Sequence, residues 1–298
     1  MKVRVIMHGR HEHSKSWLKS WREWKSMADY DLSIVYTHYA GEAVNLSSLA
    51  VSDGVEVIVS AGGDGTHNEC VNGYLKANGQ IPMTFLAMGT GNDFIKSLFQ
   101  SGSWQEAHQL ILKRKWNSID IGSMKFLNPL GIEEARYFIN VMDIGLGGEV
   151  VQKIAKSNRR WGTFLTYQKA VISSLLQYKK STVEFRLDGS GYNGVTLMLA
   201  CANAQWFGSG LGIAPSASLV DGQFTVVHIG EITLIDYLFQ LPKVRRSKVL
   251  KHPGIRYFKA KEIEVDTTGL PIDCDGEFAG FTPLQCKIIP ALLKVLVH

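Results

Sequence analysis

Residues Val55–Glu69 have the sequence V-E-V-I-V-S-A-G-G-D-G-T-H-N-E, and this stretch decides the fold. It begins with a β-branched apolar run that is typical of a buried parallel strand. The run ends in a turn where Gly62, Gly63 and Gly65 surround Asp64, and the residues after it predict a helix. Glycine permits positive φ angles and close approach to the backbone, and a helix N-terminus offers unpaired N–H groups to an anion. The stretch therefore predicts a phosphate-binding turn in an α/β domain.

The start of the predicted helix carries capping signals and one unexpected acid. Thr66 is placed to act as the N-cap, and Glu69 follows at the spacing of a capping box. No Gly-Lys-Ser/Thr sequence follows the turn, which excludes a Walker A loop. Asp64 would repel a bound phosphate, so it indicates either a nearby Mg²⁺ or a carboxylate beside an attacking hydroxyl. The alternative is an ordinary strand-to-helix turn in which Asp64 only caps the helix.

A second apolar strand and glycine turn follow at Ile81–Asp93, I-P-M-T-F-L-A-M-G-T-G-N-D. Gly89, Thr90 and Gly91 form the predicted turn, and Asn92 opens the next helix. Two successive βα units place both turns at the carboxyl edge of one parallel sheet. Open α/β folds bind their ligands at that edge.

The pair of motifs resembles the diacylglycerol kinase catalytic-domain family, which includes bacterial lipid kinases and, more distantly, sphingosine and ceramide kinases. The resemblance rests on Gly62–Glu69 and Gly89–Phe94 and extends from about Val3 to Val297. The first motif is shared with NAD kinases and, more loosely, phosphofructokinases. The resemblance implies an N-terminal Rossmann-like α/β domain with a parallel sheet, an antiparallel β-sandwich domain, and an active-site cleft between them.

The predicted pattern of secondary structure changes near Ser123. After Trp116, short alternating strands with glycine-rich turns replace the βα pattern, which is typical of an antiparallel sandwich. We therefore predict domains over 1–123 and 124–298. In the second domain we predict a strand over Arg136–Met142 and a single helix over 158–180.

The helix predicted over Ser14–Ala28 carries Trp17, Trp21 and Trp24 on one face and basic residues on the other. Such a helix either lies on a membrane or packs its tryptophans on the sheet. We favour packing, because a crossover helix of an α/β domain needs an apolar face.

The totals of the sequence fit an ordinary globular protein. The chain has 298 residues, of which 45% are hydrophobic and 20% charged, with a formal net charge of +5. No apolar run approaches the ~18 residues of a membrane span, and no signal peptide is present, so we expect a cytoplasmic protein. The net charge is compatible with nucleotides or an anionic lipid surface. The cysteines have no metal-site spacing, and we expect buried, reduced thiols at Cys70, Cys201, Cys274 and Cys286.

The resemblance implies ATP and Mg²⁺ as cofactors. The positions that match nucleotide contacts of the family are Thr37, Gly62, Gly63, Asp64, Gly65, Thr66, His67, Asn68, Glu69, Gly89, Thr90, Gly91 and Asn92. After its first strand the family has an Asn-Pro-x-Ser-Gly loop, whereas this chain has M-H-G-R-H at Met7–His11. Gly9 could supply a comparable turn, and Arg10 could supply a charged contact to phosphate.

A segment of the second half, Pro215–Phe224, resembles the magnesium-binding segment of the family. The implied ligands are Ser218, Asp221 and Gln223. The family often has two adjacent acids there, and this chain has Val220 in place of one of them. Without the resemblance, the Asp-Gly sequence would indicate only a hairpin turn.

The stretch Asp273–Phe278, D-C-D-G-E-F, carries the candidate catalytic acids. In an extended segment Asp275 and Glu277 would face the same side, and paired carboxylates suit general-base catalysis or Mg²⁺ binding. A turn is again the alternative. In the family the matching Asp-Gly-Glu is catalytic, which implies Glu277 as the proton acceptor with Asp275 supporting it. Asp64 would be a further carboxylate at the point of transfer.

The function implied by the resemblance is ATP-dependent phosphorylation of a lipid hydroxyl, most simply diacylglycerol to phosphatidic acid. The expected partner is a lipid at the membrane surface, with transient peripheral contact, no nucleic acid, and a homodimer left open. One alternative is an NAD kinase-like enzyme, which shares the first glycine motif. Another is a non-catalytic family member that binds nucleotide or lipid, suggested by the altered loop after the first strand and the single acid at Asp221.

Overall fold

The computed structural model describes residues 1–155, 163–178 and 181–298. The chain divides into two compact units, here called unit 1 (Met1–Ile119 with Ala291–His298) and unit 2 (Asp120–Pro290). The sequence-based division assigns every residue from 124 onward to the second domain. In the structure the C-terminal residues lie in unit 1, because the last strand ends beside Met83 in its parallel sheet.

Unit 1 is built on a parallel β-sheet. Its strands are β1 (Lys2–Met7), β2 (Asp31–Tyr36), β3 (Val57–Gly62), β4 (Met83–Ala87) and the end of β15 (Glu277–Leu296). They lie in the order β15-β4-β3-β1-β2. Every residue of β3 is buried, as the β-branched run predicts, and β3 and β4 both end in a glycine turn at the carboxyl edge.

Helices of unit 1 connect and cover these strands. They are α1 (Lys15–Met27), α2 (Glu42–Ser52), α3 (Asp64–Lys76), α4 (Asp93–Ser97) and α5 (Trp104–Lys113). The packing interpretation of α1 is confirmed, since Trp17 and Trp24 are buried in a cluster with the apolar residues of the sheet. The indole N–H of Trp24 donates to the Tyr30 hydroxyl at 2.8 Å, which satisfies its polar atom.

Unit 2 is mainly antiparallel β-structure, as predicted. Its strands are β5 (Trp116–Leu127), β6 (Glu133–Phe138), β7 (Val141–Gly145), β8 (Ser181–Leu187), β9 (Ser190–Thr196), β10 (Met198–Ala202), β11 (Phe224–Ile229), β12 (Ile255–Ala260), β13 (Glu262–Val265), β14 (Pro271–Cys274) and most of β15. One sheet has the order β12-β11-β10-β7-β14-β15. From β15 the pairing continues to β13, β8 and β9, and separately to β5 and β6. The apolar core of the sandwich includes Met142, Leu199, Phe224 and Ile263.

The opposite face of β7, β10 and β11 is covered by helices. These are α6 (Leu146–Ala155), α7 (Thr163–Gln177) and α8 (Leu234–Val244). Side chains alternate along a strand, so Val141, Ala200 and Val227 face this helical layer, while their neighbours face the sandwich core. The prediction of a single helix is therefore wrong, and the ends of the predicted helix over 158–180 lie outside the described residues.

One predicted strand is divided in the structure, and the predicted state of the cysteines is confirmed. The strand predicted over Arg136–Met142 is in fact the end of β6 and the start of β7, interrupted at residues 139–140. The four cysteines are free and buried, as expected. Among the described residues, no helix combines the length and apolar character that crossing a membrane requires.

Candidate active site

The two glycine turns of unit 1 touch each other through their backbones. A Cβ placed on Gly89 would lie 2.5 Å from the Cα of Gly63, and one on Gly63 would lie 3.2 Å from the Cα of Gly89. No glycine of either turn has a positive φ, so the conformational freedom expected of them is not used. Close approach is instead what requires glycine here, because any larger residue would force the two turns apart.

The capping box predicted at the start of α3 is wrong. The helix begins at Asp64, with Gly63 as an N-cap that has no side-chain hydrogen bond, and Thr66 is buried within its first turn. The carboxylate of Glu69 instead accepts from the N–H of Gly41 at 3.0 Å and of Ala43 at 3.3 Å, and so caps α2. The N–H groups of the first turn of α3 have no intrahelical acceptor, which suits them to bind an anion.

Two side chains hold the second glycine turn in place. Asn92 adopts a left-handed conformation, and its amide exchanges two hydrogen bonds of 2.9 Å with the backbone of Gly89. The Oδ1 atom of Asp64 accepts from the N–H of Phe94 at 3.0 Å. Asp64 thus joins the turn after β3 to the start of α4, while its second oxygen has no hydrogen bond within the described residues. Thr90 is exposed and Gly91 is half-buried at the same edge.

Other predicted nucleotide contacts of unit 1 point into the interior. His67 is fully buried, with Nδ1 2.8 Å from the Ser60 hydroxyl and its ring edge-on to Phe85. Burial lowers the pKa of His67 to about 4, against the opposing effect of Asp64, so the ring is neutral at neutral pH. Asn68 is also buried and accepts from the Asn72 amide at 3.1 Å. These two side chains support α3 from inside.

The unusual loop after β1 lies at the same carboxyl edge. The N–H of Gly9 donates to the Thr37 hydroxyl at 3.1 Å, which joins the ends of β1 and β2. The Nη2 atom of Arg10 donates to the carbonyl oxygen of Met88 at 3.0 Å, immediately before the second glycine turn. A guanidinium therefore stands beside the turns that are proposed to hold phosphate.

In unit 2, Asp275 lies in a two-residue hairpin turn. Asp275 and Gly276 have φ angles of 52° and 88° and connect β14 to β15, so the turn, which was the alternative to an extended segment, is confirmed. The physical reason is that an Asp-Gly pair readily adopts the left-handed turn that matches strand twist. Both carboxylate oxygens of Asp275 are used. They accept from the N–H groups of Ile139, Asn140 and Val141 at 2.8, 2.8 and 3.1 Å. These bonds hold the break between β6 and β7.

Glu277 begins β15 directly after this turn, and its Oε2 atom lies 2.7 Å from Nη2 of Arg136. Arg136 lies on β6, far from Glu277 in sequence, and nothing in the sequence pattern indicates the pair. The ion pair fixes the orientation of the carboxylate. It leaves Oε1 without a hydrogen bond within the described residues, so that oxygen can accept a proton.

Beneath the turn lies a buried pair of carboxyl groups that the sequence analysis did not identify. Asp273 on β14 is paired in register with Asp143 on β7, and both are buried. Burial raises the pKa of Asp143 to about 7, and burial together with the charge of Asp143 raises the pKa of Asp273. Oδ1 of Asp273 accepts from the N–H of Gly276 at 2.7 Å, so the pair contacts the turn at Asp275. A lone acid within an apolar strand, as in V-M-D-I-G, is the sequence signal that could have found it.

The predicted magnesium ligands already have a cation. Nζ of Lys259 lies 2.7 Å from Oδ2 of Asp221 and 3.1 Å from the carbonyl oxygen of Ser216. The other oxygen of Asp221 accepts from the Gln223 N–H at 3.2 Å, and the Ser218 hydroxyl accepts from the Val220 N–H at 3.4 Å. An ammonium group thus already neutralises Asp221, the one carboxylate among the predicted ligands, which disfavours a resident Mg²⁺ at these residues. No cluster of metal-binding side chains occurs elsewhere among the described residues.

Unit 2 also contains an apolar cavity under its helical layer. The cavity has a volume of about 90 Å³ and lies between α6, α7, α8 and the sheet. Its lining includes Val150, Val171, Met198, Tyr237 and Leu250. Such a lining suits a hydrocarbon group rather than a polar one.

Family comparisons agree with this architecture. Residues 2–124 match the model of the diacylglycerol kinase catalytic domain, and residues 140–297 match that of the YegS C-terminal NAD kinase beta sandwich-like domain. The second model covers more than half of the chain, which therefore belongs to the family of the YegS C-terminal NAD kinase beta sandwich-like domain, while its N-terminal part matches the diacylglycerol kinase catalytic domain. Curated relatives include the diacylglycerol kinase of Staphylococcus carnosus (strain TM300), 28% identical over 260 residues, 86% of this chain and 81% of that protein. The diacylglycerol kinase of Staphylococcus aureus (strain Newman) is 29% identical over 261 residues, 86% and 79% of the two chains.

Solved structures show the same fold. A crystal structure of a diacylglycerol kinase from Bacillus anthracis str. Sterne has a TM-score of 0.71 and 21% identity, covering 100% of this chain and 97% of its own. Yeast NADH kinase in complex with NADH has a TM-score of 0.53 and 10% identity, covering 99% and 82%. The α/β domain with a parallel sheet and the β-sandwich domain are thus shared with this Bacillus anthracis protein and, more distantly, with yeast NADH kinase.

The buried carboxyl pair predicts an unusual pH dependence of stability. The pKa of Asp143 is raised in the folded state from 3.8 to about 7. The folded protein therefore binds more protons than the unfolded chain between these values, and this group's contribution to stability is lost as the pH rises through them. We expect Asp143→Asn to melt at the same temperature as the wild type near pH 4 and at a higher temperature above pH 7. Thermal denaturation across this range measures the difference.

The matched control is Asp29→Asn, which removes an exposed carboxylate of unit 1. Its melting temperature should follow that of the wild type at every pH. A constant difference between Asp143→Asn and the wild type would show that Asp143 is not protonated in the folded protein.

The Lys259–Asp221 pair predicts how the protein responds to Mg²⁺. The melting temperature of the wild type should be the same with Mg²⁺ and with a chelator. Lys259→Ala should lose about 0–1 kcal/mol, typical of a surface ion pair, and part of this loss should return when Mg²⁺ is added. Lys287→Ala, which removes an exposed lysine from β15, is the control. Strong stabilisation of the wild type by Mg²⁺ at these residues would contradict the assignment.

Proposed function

We propose that this chain is an ATP-dependent lipid kinase that transfers the γ-phosphate of MgATP to a lipid hydroxyl. Diacylglycerol is the proposed acceptor, and phosphatidic acid and ADP are the products. The observation that carries the proposal is the contact between the glycine turns at Gly63 and Gly89, joined by Asp64. This arrangement presents backbone N–H groups and an acid at one edge of the parallel sheet.

In this proposal unit 1 binds the nucleotide. The first turn of α3 and residues 90–92 supply N–H groups to the phosphates, since the Gly89 N–H is already bound to Asn92, and Arg10 adds a positive charge beside them. Phosphoryl transfer needs mainly positioning and charge stabilisation from the protein. Asp64 is proposed to act at the transfer point through the carboxylate oxygen that does not cap α4.

Unit 2 is proposed to activate the acceptor. Glu277 takes the proton from the lipid hydroxyl as its oxygen attacks the γ-phosphorus, and ADP leaves with the electrons of the broken phosphate bond. Arg136 orients Glu277 through their ion pair. Asp275 has both carboxylate oxygens bound by backbone N–H groups, so its proposed role is to position the turn.

The lining of the apolar cavity in unit 2 favours a hydrocarbon group, and its volume of about 90 Å³ admits a short part of one chain. A nicotinamide dinucleotide is charged and polar and would gain little from a lining of aliphatic and aromatic side chains. The similarity to diacylglycerol kinases of Staphylococcus, at 28% and 29% identity, is a second reason to propose diacylglycerol. The assay below tests the acceptor directly.

The assay uses labelled ATP, Mg²⁺ and mixed micelles that carry diacylglycerol, phosphatidylglycerol, undecaprenol or a sphingoid base, with NAD⁺ in a parallel reaction. We expect label in the lipid fraction. Glu277→Gln should reduce the rate by about 10²–10⁴-fold, the usual contribution of a general base. Its melting temperature should be nearly unchanged, because Glu277 is partly exposed and the substitution is isosteric.

Two controls sharpen this test. Glu133→Gln removes an exposed carboxylate from β6 and should leave the rate unchanged. Asp64→Asn keeps an acceptor for the Phe94 N–H, so the fold should persist while the rate falls. Label in NADP would replace the proposal with an NAD kinase, and nucleotide binding without transfer to any acceptor would indicate a non-catalytic member.

A further inference from the structure

An apolar face of α8 has no partner within the described residues. Ile235, Leu238 and Phe239 are spaced so that they share one side of the helix, and their exposed fractions are 65%, 50% and 75%. Tyr237, Leu241 and Val244 face the other way and pack on the helical layer of unit 2. Helix α8 is therefore apolar on its inner face and also on its outer face, which is unusual for a surface helix.

This helix is firmly fixed at its start. Thr233 and Asp236 form a capping box, with hydrogen bonds of 3.1 and 2.8 Å between each side chain and the other residue's backbone N–H. The Tyr237 hydroxyl donates to Oε1 of Gln168 on α7 at 2.5 Å. The exposed apolar side chains are thus presented by a rigid element, and α7 adds the exposed side chains of Leu165 and Leu176 to the same helical layer.

A basic segment follows the apolar face directly. Its cationic residues are Lys243, Arg245, Arg246, Lys248 and Lys251, and no acidic residue lies between Asp236 and Glu262. Apolar side chains next to a cluster of cations are the combination that binds an anionic lipid surface, through burial at the headgroup boundary and through attraction to the headgroups.

We propose that α8 and the segment that follows it dock onto an anionic phospholipid bilayer. Ile235, Leu238 and Phe239 enter the headgroup region, and the basic segment contacts the anionic headgroups. This inference rests on the proposed function, because a lipid kinase must reach the membrane that holds its acceptor. It extends that function by naming the surface that binds the bilayer. It also places the apolar cavity, which lies directly beneath α8, next to the membrane that holds the acceptor.

A second copy of the chain could also cover the apolar face of α8, but the positive charge of the basic segment disfavours that arrangement. A two-fold interface would place the same patch of each copy against the other. The basic segments next to the two faces would then repel each other with no acid nearby in sequence to offset them. A bilayer rich in anionic lipid provides the opposite charge.

The test measures binding to vesicles and does not depend on activity. The full-length protein is sedimented with vesicles of phosphatidylglycerol and phosphatidylcholine in equal parts, and with vesicles of phosphatidylcholine alone. We expect clear preference for the anionic vesicles, weakened at high salt. Leu238→Gln combined with Phe239→Gln should lower the partition coefficient at least about tenfold, because two apolar side chains no longer enter the bilayer.

Charge is tested separately with matched controls. Arg246→Gln combined with Lys248→Gln should weaken binding to anionic vesicles about fivefold for each charge removed and leave binding to phosphatidylcholine unchanged. The apolar control is Leu130→Gln with Ile132→Gln, on an exposed hairpin of unit 2. The charge control is Lys125→Gln with Lys287→Gln, on exposed strand positions. Both controls should bind as the wild type does.

Two further measurements separate docking from catalysis. Glu277→Gln should bind vesicles normally, and the docking variants should phosphorylate a short-chain, monomeric diacylglycerol at the wild-type rate. Absence of wild-type binding to anionic vesicles would overturn the docking proposal while leaving the kinase proposal intact. So would a dimer in sedimentation velocity that Leu238→Gln with Phe239→Gln converts to a monomer. Vesicle binding without phosphorylation of any acceptor would support the docking proposal and overturn the kinase proposal.

Discussion

The contact between the backbones of Gly63 and Gly89 is the constraint on which unit 1 depends. It forces two strand-to-helix turns to share one small volume at the carboxyl edge of the sheet. Asp64 can reach the start of α4 only because the turns are this close, and Asn92 can close its own turn only in the left-handed conformation. One steric requirement thus sets both the geometry of the two turns and the position of the acid.

Unit 2 positions its acids through hydrogen bonds, whereas unit 1 positions Asp64 through the close packing of two turns. Asp275 is fixed by three backbone N–H groups, and its neighbour Glu277 is then held by Arg136. Below this turn, Asp143 and Asp273 place two carboxyl groups in a buried site, where at least one must carry a proton at neutral pH. Uncharged carboxyl groups there would keep the underside of the Asp275 turn close to neutral and would limit repulsion against Glu277.

The sequence predicted the fold class, the parallel strands and the two glycine turns, because each depends on local patterns of apolar residues and glycine. It also predicted the packed tryptophans of α1. It missed α6 and α8, because α6 begins with glycines that are typical of a turn and α8 is short and contains Pro242. The backbone bonds to Asp275, the Glu69 cap on α2 and the Arg136–Glu277 pair join residues far apart in sequence, and no local pattern encodes such contacts. The burial of His67 was missed because its position in the glycine motif suggested a ligand contact instead.

The Lys259–Asp221 pair affects how the stability of unit 2 depends on the ions around it. A bound metal ion stabilises a fold in proportion to its free concentration, by mass action. A lysine on a neighbouring strand is a counter-ion whose local concentration is set by the fold itself and does not change with the surroundings. The stability of this part of unit 2 is thereby uncoupled from the supply of divalent ions.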